Sequence, residues 1–127
     1  MGEKNIRSDA LKWVKSKYPE IEGDIFTSKF YTPDESWSNT RVWFFQIPLE
    51  VVEPSKVKHI HLICQNHLSG EAYIYLKVST LFILKNKDLF EIDNKNKIIR
   101  IYLSAEAVDM FKEVRKGSKL DFSKYVQ

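Results

Sequence analysis

Residues 57–79 read VKHIHLICQNHLSGEAYIYLKVS, and the alternation within this stretch decides the fold class. Successive side chains of a strand point to opposite faces. His59, His61, Ile63 and Gln65 therefore share one side of the first half, and Ile60, Leu62 and Cys64 share the other. The second half repeats the pattern, with Ile74, Leu76 and Val78 on an apolar side and Tyr73, Tyr75 and Lys77 opposite. Between the halves, Asn66 and Gly70 are residues that a hairpin favours where φ turns positive. The stretch predicts two antiparallel strands with one core-facing side.

The same stretch holds all three histidines and the single cysteine of the chain, which raises the question of a metal site. Strand parity splits the cluster. His59 and His61 share a face, Cys64 points away from them, and His67 sits in the connection. A structural zinc site closes a tetrahedron of four ligands, and no second C-x-x-C or H-x-x-x-H pair exists to complete one. The reading is a plain strand in which Cys64 is a small buried hydrophobe. No metal or cofactor is expected.

Outward from the hairpin, "NIRSDALKWVKSKY" (5–18) predicts a helix with Ile6, Ala10, Trp13, Val14 and Tyr18 at helical spacing, stopped by Pro19. Lys17 falls in that apolar arc, where its stem can lie along apolar surface. "DIFTSKFY" (24–31) reads as a strand, and "RVWFFQI" (41–47), apolar on nearly every side chain, as a central one. "PLEVVEPSK" (48–56) suits a short helical turn. "STLFILKNK" (79–87) suits a short helix capped by Ser79 or Thr80, and "LFEIDNKNKIIRIYLS" (89–104) a second hairpin. "AEAVDMFKEVRK" (105–116) predicts a last helix, with Ser104 as N-cap, Gly117 as stop and a stripe of Ala107, Met110, Phe111 and Val114. The order predicts an α+β domain over residues 1–127, with a mainly antiparallel sheet of about five strands and an N-terminal and a C-terminal helix packed on it.

Composition narrows the function classes without choosing among them. At 127 residues the chain is long enough for one core without staples. A lone cysteine makes no internal disulfide, and the polar start MGEKNIRSDA carries no apolar signal segment. A cytoplasmic, reducing setting is the expectation. No run approaches the roughly 18 apolar residues of a membrane span, so no membrane partner is expected. The net charge of +3 permits nucleic-acid contact without requiring it.

The non-core side of the strands is the informative surface. In "IIRIYL" (98–103), Ile99, Ile101 and Leu103 go to the core and leave Arg100 and Tyr102 opposite. If these strands share one sheet, its other face shows His59, His61, Tyr73, Tyr75, Lys77, Arg100 and Tyr102. Aromatic rings interleaved with cations hold unpaired nucleic acid, with stacking worth roughly 1 to 3 kcal/mol per base. Tyr and His also suit a half-buried layer under a helix, with the N-terminal helix as lid and Trp13 reaching down. Both readings stay open on sequence alone. Trp37, in the polar loop "TPDESWSNT" (32–40), is a candidate anchor for a protein partner or a second copy of the chain.

Catalytic constellations are thin. There is no G-x-S-x-G elbow and no glycine-rich phosphate loop. A helix ahead of several strands, with Tyr75-Leu76-Lys77 where an E-x-K would end a strand, resembles the restriction-endonuclease-like superfamily in layout. That resemblance implies a Mg²⁺-dependent nuclease core, but Tyr75 stands where the family has a carboxylate. His59 and His61 stand in place of its metal-binding aspartate. It therefore implies at most a degenerate, inactive relative, since the metal needs converging carboxylates. The expectation is a small non-catalytic binding domain for single-stranded nucleic acid, with a protein-interaction or self-association module as the alternative.

Overall fold

A computed structural model of the chain describes residues 6–32, 40–52, 59–66, 70–115 and 119–127. Helix α1 (Arg7–Lys17) is followed by β1 (Ile25–Ser28), β2 (Val42–Pro48) and a 3-10 turn at Leu49–Val52. Next come β3 (His59–Gln65), β4 (Tyr73–Ser79), α2 (Thr80–Lys85), β5 (Glu91–Asp93) and β6 (Ile98–Ser104). None of the described helices is long and apolar enough to cross a membrane.

Both hairpins form as their turn residues predict. Strands β3 and β4 pair from His59↔Ser79 to Gln65↔Tyr73, and β5 pairs with β6 from Glu91↔Arg100 to Asp93↔Ile98. Gly70, at φ +106°, supplies the positive φ of the first connection. The Ser79 hydroxyl caps α2 by accepting the Phe82 amide at 3.4 Å.

The strands do not share one sheet. They form two three-stranded sheets, ordered β1-β3-β4 and β2-β6-β5. β1 runs parallel to β3, because the chain between them crosses to the second sheet to make β2 before returning. β2 is an edge strand rather than a central one, and β3 and β6 take the central places. The apolar sides face one another across the main core. Ile60, Leu62, Cys64, Leu76 and Val78 of the first sheet meet Trp43, Phe45, Ile47, Ile99, Ile101 and Leu103 of the second. Along β4's outer edge, Val126 bridges Leu76 and the Gln127 amide donates to the Tyr75 carbonyl at 2.9 Å, which covers ladder groups an edge would otherwise expose.

The last helix predicted from the spacing of residues 105–116 is replaced by a turn over 106–111 and a return strand pairing. Because β5 pairs only with Ile98–Arg100, the end of β6 has a vacant ladder on that side. Residues 112–114 occupy it. Leu103 bridges Glu113, and the Val114 amide donates to the Tyr102 carbonyl at 2.9 Å. Phe111 bends the chain back at φ 68° and stacks on Trp43 at 5.2 Å. This tertiary pairing overrides a local helical preference. Glu113, placed on the polar side of that helix by its spacing, is instead fully buried. Its carboxylate accepts the Arg115 amide at 3.2 Å and the Tyr102 amide at 3.4 Å.

Candidate functional site

The outer side of β3 and β4 carries five of the seven residues singled out from sequence: His59, His61, Tyr73, Tyr75 and Lys77. Register sets His61 against Lys77, with Tyr75 opposite Ile63 and Tyr73 opposite Gln65. Arg100 and Tyr102 lie elsewhere, because β6 belongs to the other sheet. Trp37 and His67 lie outside the described residues.

Helix α1 lies over this side. Its Ala10 and Val14 pack with Ile63 and Tyr75, flanked by Trp13, Tyr18, Ile21, Ile25 and Tyr73. The Trp13 ring sits 5.6 Å from Tyr73, and Tyr18 meets Tyr75 edge-on at 4.8 Å. Around the helix, Arg7 donates to the Ile25 carbonyl at 2.9 Å. Glu71 accepts from the Trp13 indole at 3.3 Å and pairs with Lys17 at 2.8 Å. The Lys17 ammonium also lies over the Trp13 ring at 5.4 Å.

Tyr75, beneath α1, is only 5% exposed, and His61, beneath the loop that follows, only 3%. His61 Nε2 faces the Glu22 carbonyl, and Nδ1 lies 2.7 Å from the Tyr75 hydroxyl. A carbonyl only accepts, so Nε2 carries the proton and Nδ1 accepts from the Tyr75 O–H. Burial holds the His61 pKa below its usual value. Lys77 and His59 push the same way, against the opposing pull of the Glu22 carbonyl and Asp24. Burial raises the Tyr75 hydroxyl, with a contribution from Tyr18. Both nitrogens of His61 are thus committed, which leaves that imidazole without a free lone pair for a metal. Among the described residues no group of three or more His, Cys, Asp or Glu is placed to hold a metal ion. Cys64 is buried on the core side, where burial pushes its thiol well above the ordinary range.

The loop after α1 closes over His61. Gly23, at φ +103°, brings the backbone so close that a Cβ there would meet His61 Nε2 at 3.6 Å. Between this loop and the strands opens a cleft of about 660 Å³, lined by Lys17, Tyr18, Gly23, His59, His61 and Lys77. Exposed His59 and Lys77 form its outer rim. A second cleft of about 360 Å³, with Trp13, Glu71 and Tyr73 in its wall, lies along the other flank of Tyr18 and Tyr75. The parity of the strands identified the sheet side. The contributions of Tyr18 and Gly23 arise from tertiary closure, and only the helical spacing of Tyr18 signalled its direction.

On the second sheet, Arg100 pairs with Asp93 at 3.0 Å and approaches Glu91 at 3.9 Å, while Arg115 pairs with Glu91 at 2.9 Å. Tyr102 stacks on Phe44 at 4.5 Å with Arg115 over its ring. That patch pairs its guanidinium groups with carboxylates, and the cleft at His59 and Lys77 likewise has Glu20 and Glu22 in its lining.

Compared with protein-family models, with curated proteins and with solved structures, the chain matches none.

Proposed function

We propose that this is a binding domain for unpaired nucleic acid, which it holds on the outer side of β3 and β4. The observation that supports the reading is the placement of Tyr73, Tyr75, His61, His59 and Lys77 on one sheet side. Exposed Lys77 and His59 rim the larger of the two clefts. In this reading Lys77 and His59 contact phosphate, and half-buried Tyr73 supplies a stacking surface, while Tyr75 lies under α1. Arg100 and Tyr102, on the other sheet, take no part.

The test is anisotropy of labelled single-stranded DNA and RNA across a salt series. Binding that weakens as salt rises is the expected result, and Tyr73→Ala in a folded variant weakens it further. Salt-independent or absent binding rejects the reading.

A second reading, association through the outer side of the second sheet, is favoured by the Phe44–Tyr102 stack beside exposed Gln46. Light scattering that shows a dimer, dissolved by Phe44→Lys, would support it.

A further inference from the structure

We propose that α1 is a displaceable lid, which opens while both sheets stay folded and so exposes Tyr73 and Tyr75. Three observations carry this. First, the buried residues of the main core come from the sheets, α2, the chain after β6 and the connections at Phe30, Val52 and Phe90, with none from α1. The helix packs in a separate small cluster on the far side of the first sheet. Its removal therefore leaves the sheet-to-sheet packing intact.

Second, α1 is weakly held. Only Ala10 and Val14 are buried along its eleven residues, and both side chains are small. Its first turn has no side-chain cap, since Ile6 occupies the N-cap position. Its polar ties to Glu71 are exposed, and exposed ion pairs add little. A helix of this length is marginal by itself in water, so its order depends on those two side chains and the Trp13–Tyr73 ring contact. Elements with few buried apolar contacts open at lower free energy than the whole fold.

Third, the surface beneath α1 is polar-aromatic. Around buried Ile63, Tyr75 and Tyr73 each keep a polar tip, and Lys77 and His59 stay outside the covered area. An opened state thus presents rings beside Lys77, and a surface of this kind tolerates water better than an aliphatic one.

The test is native-state hydrogen exchange on the full chain at low urea. Amides of residues 10–17 are expected to show protection at least about tenfold below those of β3 and β4, with weaker urea dependence. Equal protection and equal urea dependence in helix and strands would overturn the lid. The second arm rests on the nucleic-acid reading. Val14→Ala raises the open population by about tenfold and Ala10→Gly by about fivefold. Oligonucleotide affinity is expected to rise in the same proportion, because apparent affinity scales with the competent fraction. If the helix opens sub-globally and affinity does not rise, the lid stands and the nucleic-acid reading falls.

Discussion

The His61 imidazole accepts a hydrogen bond from the Tyr75 hydroxyl at 2.7 Å, across neighbouring strands. Its other nitrogen ties the Glu22 carbonyl, so one side chain joins β3, β4 and the loop that closes the helix. Because each nitrogen has a fixed role, the neutral tautomer is built into the fold.

That arrangement makes stability depend on pH. The folded pKa of His61 lies below its unfolded value near 6.5, so the unfolded chain binds more protons in the window between them. The stabilisation is fully present above about pH 6.5 and is lost as pH falls through the folded pKa. Urea unfolding between pH 8 and pH 5 is expected to show a falling midpoint, with a shallower fall in His61→Gln. An identical slope in wild type and variant would show that His61 does not titrate in this way.

Gly23→Ala places a side chain at φ +103°. The added methyl meets the His59 carbonyl at 3.5 Å, which is ordinary contact, so the cost comes from the backbone. Chemical denaturation is expected to show a loss of about 1–3 kcal/mol.

Glu113→Ala removes a buried acceptor for the Tyr102 and Arg115 amides. A loss of about 1–3 kcal/mol is expected from the amides left unsatisfied, with Glu113→Gln recovering part of it. Thermal melts of both variants measure this. Unchanged stability in Glu113→Ala would show that the pairing at the end of β6 does not depend on the carboxylate.

Separation of the two sheets gives a paired test of the nucleic-acid reading. Lys77→Ala is expected to reduce the salt slope of binding by about one unit. Arg100→Ala, whose guanidinium pairs with Asp93, is expected to leave the slope unchanged. The reverse result would move the interface to the second sheet.

Which faces were legible in the sequence follows from locality. Period-two alternation assigned Ile60, Leu62, Leu76, Ile99 and Ile101 to the core, and the Asn66–Gly70 connection set the first hairpin. The partition into two sheets was not legible, because alternation fixes a strand's faces and says nothing of its neighbours. Arg100 and Tyr102 were grouped with Tyr75 for that reason. The last helix failed on the same ground: residues 105–116 have helical spacing, but the vacant ladder beside Tyr102–Ser104 is a long-range feature. In the candidate site, the residue types on β3 and β4 were readable. The closure of Gly23 over His61 was not, since it depends on how the loop after α1 returns to β3.

The measurement that tests the central claim most directly is an amide NMR titration of the full chain with a short single-stranded oligonucleotide. Perturbations concentrated in β3, β4 and residues 18–24 are the predicted result. Perturbations confined to Phe44, Arg100 and Tyr102, or none at saturating oligonucleotide, would contradict binding on the outer side of the first sheet.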